Sequence, residues 1–240
     1  MKKTERPATS KEGFINFPKD EYCTTMLSIA PPASGKTYVM LNCLKLWIDM
    51  KMFTEYHVVL PAFKNEMNGS YDWLLDYPNV FVYEKYYDRI GNDVVKRQTK
   101  SHELLKKKKI KEMPRVFFCI DDATSEKNIF ESDAIRSLVT KNRHLHVHSW
   151  FLMHSFKGII KPAIRQNIFF VFLYKLKDEF LNSAFKEFVN FPLDFDNYKK
   201  DFKPFFKEYI IPLQYGCLLL GGSRDYSPFV NRWFDSEDKK

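Results

Sequence analysis

Two clusters of residues in this 240-residue chain have the types and spacing for phosphate chemistry. The first, Ala30-Pro31-Pro32-Ala33-Ser34-Gly35-Lys36-Thr37, follows the β-branched and apolar run from Thr24 to Ile29. It precedes a helical pattern that puts Val39, Met40, Leu44 and Trp47 on one face. A buried strand, a tight bend and Gly-Lys-Thr at a helix start have the layout of a phosphate-binding loop. Backbone N–H groups of Ala33, Ser34, Gly35, Lys36, Thr37 and Tyr38 would cradle phosphate oxygens at the positive end of the helix. Lys36 would neutralise the β and γ phosphates of ATP, and the Thr37 hydroxyl would ligate Mg²⁺. The pattern asks for glycine at position 30, where this chain has alanine. Alanine resists positive φ, so the bend must be started with negative φ or with strain. Pro31 and Pro32 offer no N–H, which leaves the donors to Ala33 onward.

The second cluster is Arg115-Val116-Phe117-Phe118-Cys119-Ile120-Asp121-Asp122, a hydrophobic strand delivering two carboxylates at its end. In a Walker B element Asp121 would hold the Mg²⁺ shell and Asp122 would polarise the attacking water. Alone, each cluster has a plain structural reading: a strand–turn–helix, and a strand closed by an Asx turn or helix cap. Together they are specific, because the aspartates follow the loop by some eighty residues within a βα alternation. His154 ends a further apolar strand, Val147–Met153, where α/β sheets bind ligands. It would sense the γ-phosphate or position water; the other reading is a hydrogen-bonded loop histidine. His144, His146 and His148 alternate at i, i+2, which would place them on one strand face, but no cysteine or carboxylate completes a metal set.

The elements that must position these groups alternate strand and helix. Strands are expected at Thr24–Ile29, Tyr56–Leu60, Val80–Tyr83, Arg115–Ile120, Val147–Met153 and Ile168–Tyr174. Helices are expected after Lys36, over Asn92–Met113, Ile129–Lys141 and Lys177–Phe188, with a short one at Tyr71–Asp76. Such an order gives an α/β fold of the P-loop NTPase kind: a mostly parallel central sheet with helices on both faces. Tyr215–Leu220 and Phe229–Phe234, around a Gly-Gly-Ser-Arg-Asp turn, form a C-terminal β-hairpin extension. Phe191–Tyr209 reads as helix and loop on the sheet edge. Residues 1–20 read as a polar arm and 21–240 as a single P-loop ATPase domain, since the length leaves little room for a second core. Four scattered cysteines without ligand spacing indicate reduced thiols in or near the core. No stretch has the length of a transmembrane helix and the start lacks the apolar core of a signal peptide, so no membrane anchor is expected. The net charge of +8 suits a polyanionic partner. The lysine-rich Asn92–Met113 is either a nucleic-acid-facing surface or a solvated helix over the sheet edge.

With these segments placed, the chain resembles the FtsK–HerA superfamily of DNA-pumping ATPases, most of all the poxvirus-type genome-packaging ATPases of large DNA viruses and virophages. The resemblance follows the order of elements over residues 22–234 and is specific at APPASGKT, FFCIDDAT, KNRHLHVHSWFLMHSF and KPAIRQNIFFVFLYK. It implies that Arg143, just before the fourth core strand, is an arginine finger reaching the neighbouring subunit's nucleotide. It also implies a polar sensor at the end of that strand, commonly Gln, where this chain has His154. Arg165 occupies the arginine of a Pro-x-x-Ile-Arg-x-Asn segment, and Asp122 stands where the wider superfamily often has Glu.

The implied protein is an Mg²⁺-dependent ATPase that translocates double-stranded DNA into a preformed capsid. Its contacts with DNA would be sequence-insensitive phosphate contacts. It would assemble as a homo-oligomeric ring, a pentamer or hexamer, at the capsid vertex proteins, in the host cytoplasm or the virion. Three other readings fit parts of the sequence: a DNA-transfer or helicase-like ATPase, a nucleotide-binding structural protein with little hydrolysis, and a small-molecule kinase. The last would be expected to show an acceptor pocket and an arginine-bearing lid.

Overall fold

The computed structural model describes residues 23–61, 71–123, 129–155, 159–188, 204, 206–208, 212, 217–221 and 229–231. Among them, eight strands form one sheet in the order β3-β2-β4-β5-β1-β6-β7-β8. They are β1 (Thr25–Ile29), β2 (Glu55–Val59), β3 (Val80–Tyr83), β4 (Val116–Ile120), β5 (Val147–Met153), β6 (Phe170–Leu173), β7 (Cys217–Gly221) and β8 (Phe229–Asn231). The first six in chain order are parallel to their neighbours, and β7 and β8 extend the sheet antiparallel. The strands that read as unbroken apolar runs, β1, β4 and β5, are buried along their whole length and lie centrally, as a parallel strand covered on both faces requires.

Helix α1 (Lys36–Asp49) covers one face, where Val39, Met40, Leu44 and Trp47 pack on Tyr56, Phe117 and Trp150. The other face carries α2 (Asp88–Lys106), α3 (Asp133–Thr140) and α6 (Asp178–Phe188), whose Val94, Ile135, Leu138 and Leu181 pack on Val59, Phe118 and Phe151. Adjacent residues of one strand thus serve opposite cores, Phe117 against α1 and Phe118 against α2, which is the strand's two-residue side-chain period. Two helical turns, α4 (Asn142–Leu145) and α5 (Pro162–Arg165), stand before β5 and β6 at the amino edge of the sheet.

Several expected boundaries move, each for a local reason. The basic helix starts at Asp88 and ends at Lys106, because Lys108 takes a left-handed φ of 54° that stops it. Lys107–Lys109 and Lys111 therefore lie beyond the helix rather than on it. The helix expected over Ile129–Lys141 is two pieces: a 3-10 turn, Ile129–Glu131, then α3, capped by the Ser132 hydroxyl accepting from the Ile135 N–H at 3.4 Å. The alternating histidines do not share a strand face. His144 is on α4, His146 is left-handed with φ 50°, and only His148 is in β5. There the His148 Nδ1 accepts from the Thr24 N–H at 3.3 Å, and burial pushes the imidazole down to about 3. Cys43, Cys119 and Cys217 are buried and Cys23 is partly so, all as free thiols. No helix among the described residues is long and apolar enough to cross a membrane. The arm at residues 1–20, the hairpin turn and most of Phe191–Tyr209 lie outside the described residues.

Candidate active site

The carboxyl edge of β1 leads into the bend that starts at Ala30. Ala30 is fixed at both backbone atoms by β5: its N–H donates to the Met153 carbonyl at 3.0 Å, and its carbonyl accepts from His154 Nδ1 at 2.9 Å. It is not among the residues with positive φ. The absent glycine therefore costs no strain here, and the left-handed positions fall later, at Ala33 (φ 57°) and Gly35 (φ 86°). The Ser34 hydroxyl donates to the Pro31 carbonyl at 2.7 Å and closes the bend. A left-handed Gly35 followed by the right-handed residues of the first turn of α1 is the backbone pattern of a concave anion nest. That turn opens with Gly35 as N-cap and has no acidic residue or capping side chain, so its N–H groups are not met by a carboxylate of its own sequence. Lys36 is buried beside the nest, Thr37 is half-buried and the Tyr38 side chain is about half exposed.

Two strands away, β4 leads straight into Asp121. Its Oδ2 accepts from the Thr37 hydroxyl at 2.7 Å, across 84 positions of sequence. Burial pushes the Asp121 carboxyl up, opposed by the Thr37 hydrogen bond, the Lys36 charge and the Asp122 N–H, which donates to Asp121 Oδ1 at 2.9 Å. Asp122 itself is left-handed, φ 50°. This reverses the chain so that the Ala123 N–H reaches the Leu152 carbonyl at 2.8 Å, and the Asp122 carboxylate turns toward β5. There Asp122 Oδ1 lies 3.3 Å from His154 Nε2. A carbonyl only accepts, so Nδ1 of His154 carries its hydrogen toward Ala30, and the doubly protonated ring would make the Asp122 contact an ion pair. His154 thus links the start of the bend to the second aspartate.

The order β4-β5-β1 explains this meeting. The two clusters come from strands that are not neighbours, and the strand between them ends in the histidine that spans the gap. Ala33, Ser34, Gly35, Lys36, Thr37, Tyr38, Asp121, Asp122 and His154 come together at the carboxyl edge. Arg143 does not. It is exposed on α4, its N–H donating to Asn142 Oδ1 at 2.7 Å, while Asn142 Nδ2 donates to the Cys23 carbonyl at the amino end of β1. The seven residues of β5 separate Arg143 from His154, roughly 20 Å at about 3.3 Å per residue. Arg165 pairs with Glu187 at 3.1 Å and so ties α5 to α6. The left-handed turn at Asp122, the Asn142 clamp and the Ala30–His154 bond were not legible in the motifs. A hint lay in Asp-Asp itself, since Asp is among the residues that tolerate positive φ.

The residues fit a nucleotide with its magnesium ion on the chemistry of the donors: an anion nest, a buried lysine, and a hydroxyl and a carboxylate in contact. No cluster of three or more metal-ligating side chains occurs among the described residues.

The fold is that of the P-loop NTPases. Among solved structures, the fold is shared with the genome-packaging NTPase B204 of Sulfolobus turreted icosahedral virus 2 in complex with AMP. The TM-score is 0.57 at 14% identity, over 87% of this chain and 96% of that one. It is shared too with the pCW3 conjugation coupling protein TcpA, solved with ATPγS, at TM-score 0.61 and 16% identity, over 89% of this chain and 62% of that one. In sequence, the chain is 33% identical over 117 residues to the uncharacterised protein 075L of Invertebrate iridescent virus 6, covering 45% of this chain and 42% of that protein. The matched regions span less than half the length of the curated viral relatives. No protein-family model matches the chain.

Proposed function

We propose that the protein is an Mg²⁺-dependent ATPase that moves double-stranded DNA into a preformed viral capsid. The observation that carries the reading is the 2.7 Å contact between the Thr37 hydroxyl and Asp121, at the mouth of a helix opened by left-handed Gly35. The nest from Ala33 to Tyr38 would bind the phosphates, with Lys36 as the buried cation and Thr37 and Asp121 holding magnesium. When bound, the ion supplies charge stabilisation to the transferring phosphoryl group. Asp122 would orient and polarise the attacking water, and His154 would hold Asp122 and report the state of the γ-phosphate. Arg143 is too far from its own nest to serve it, which supports a role at the nucleotide of a neighbouring copy in a ring. The fold shared with a packaging NTPase supports the capsid assignment. The fold shared with a conjugation coupling protein supports DNA transfer as the second reading.

The test is steady-state ATP turnover of the wild type and Lys36→Ala, with and without duplex DNA, at low and moderate salt. The expected result is turnover that falls at least about 100-fold in Lys36→Ala, rises with duplex and declines with salt. Turnover that is flat with DNA and indifferent to Lys36, in protein shown to oligomerise, sinks the motor.

A further inference from the structure

At the far edge of the sheet, four strand spacings or roughly 19 Å from β1 at about 4.8 Å each, α2 and β3 enclose a second cleft of about 520 Å³. Its floor is a set of aligned rings. His57 of β2 stands opposite Phe81 of β3, with ring centroids 5.0 Å apart and planes within 16°. The Tyr83 ring lies 6.0 Å from the same imidazole and within 7° of parallel to it. The Tyr83 hydroxyl contacts His57 Nδ1 at 3.0 Å, and Glu55 Oε2 lies 3.2 Å from Nε2, so the His57 plate is held at both nitrogens. Burial lowers the His57 imidazole below its ordinary range. Phe81 has one face against His57 and is 39% exposed.

The wall of the cleft is the face of α2 that carries Arg89, Asp93, Lys96, Arg97 and Lys100. A helix lying on a sheet ordinarily turns apolar residues inward at these spacings, yet α2 buries only Gly91, Val94 and Gln98. Arg97 is taken up by Glu55 at 2.7 Å. No ion pair among the described residues occupies Arg89, Lys96 or Lys100. The cleft therefore combines an aromatic floor, whose Phe81 is partly exposed, with a rim of uncommitted cations beside the single carboxylate of Asp93. Its volume lies in the range of roughly 300–1,000 Å³ typical of sites for one small ligand.

We propose that this cleft binds unpaired DNA, one base lying on Phe81 and the flanking phosphates on Arg89, Lys96 and Lys100. Stacking on a ring needs an unpaired base, because the bases of a duplex already stack on one another, so the strand is single. The site extends the DNA-motor reading above by giving the motor a hold on an unpaired segment or end, apart from the ATP site.

Fluorescence anisotropy with labelled (dT)₁₂ and with the (dT)₁₂·(dA)₁₂ duplex, on the full chain without nucleotide, tests it. Phe81→Ala is expected to weaken (dT)₁₂ binding at least about fivefold without changing its salt dependence, and to leave the duplex unaffected. Phe81→Trp should bind like the wild type. The double variant Lys96→Ala, Lys100→Ala should weaken binding and flatten the slope of log K against log salt by about 1.4. In variants with wild-type melting curves, (dT)₁₂ affinity unchanged by Phe81→Ala, or a salt slope unchanged by the lysine pair, overturns the proposal. If the wild type shows no ATP turnover while these losses hold, the motor falls and the cleft stands. If DNA-stimulated turnover persists and (dT)₁₂ affinity is unchanged in every cleft variant, the cleft falls alone.

Discussion

Ala33 holds a left-handed conformation, φ 57°, that a β-carbon makes unfavourable by about 1–2 kcal/mol. Glycine removes that strain but returns about 0.5–1 kcal/mol in unfolded-chain entropy, so Ala33→Gly should raise stability by up to about 1.5 kcal/mol in urea unfolding. Ala30→Gly, which restores the motif's usual residue, should lower stability by about 0.5–1 kcal/mol, since Ala30 is buried without positive φ. Sequence alone left Ala30 either at negative φ or strained; bonded to Met153 and His154, it is not among the positive-φ residues, and the left-handed residue comes three positions on. Those partners are more than a hundred residues away, so no local pattern could show them. Asp121 makes a second residue-scale prediction. Burial raises its carboxyl, so the ionised form is disfavoured in the folded state. Asp121→Asn should therefore raise the melting temperature of the nucleotide-free protein at neutral pH while ATP turnover is lost. A lower melting temperature would show that the Thr37 and Asp122 hydrogen bonds outweigh the desolvation.

Elements follow from pattern where one face is apolar and from contacts where it is not. The strands and α1 were legible because period and burial agree, as in Val39, Met40, Leu44 and Trp47. The limits of α2 were not, because its basic sequence carries little apolar period and the left-handed Lys108 sets its end. What holds α2 is specific. Gln98 Nε2 donates to the carbonyls of Pro114 and Leu145, each at 2.7 Å, anchoring the helix to the starts of β4 and β5. Gly91 lets α3 pass close by: a β-carbon there would stand 2.9 Å from the Ala134 Cβ and 2.8 Å from the Tyr86 hydroxyl. Alanine ordinarily gains about 1 kcal/mol over glycine inside a helix, but Ala134 cannot rotate away. Gly91→Ala should therefore destabilise by about 1–3 kcal/mol, measured by denaturant midpoint. A stabilised variant would mean that the two helices can separate freely.

For the whole molecule, the α/β class, the helices on both faces and the antiparallel β7–β8 pair were readable from the order of elements. The strand order was not, since nothing local says that β5 lies between β1 and β4. That order makes the trans role proposed for Arg143 testable. Lys36→Ala and Arg143→Ala chains, each inactive alone, should recover turnover when mixed, with about a quarter of randomly formed interfaces joining an intact Lys36 to an intact Arg143. No recovery in assemblies shown by native mass spectrometry to be mixed removes the arginine from the site. The same strand has a mechanical consequence. β5 is bonded to β1 and β4 along its length, so it moves as one stiff piece. Asn142 and Arg143 stand at its head and His154 at its foot. In a ring whose copies reach across to one another, each β5 would act as a tie rod between two successive nucleotides. A shift at one end would be felt at the other within a single chain, and the firing order of the subunits would be carried by that rod.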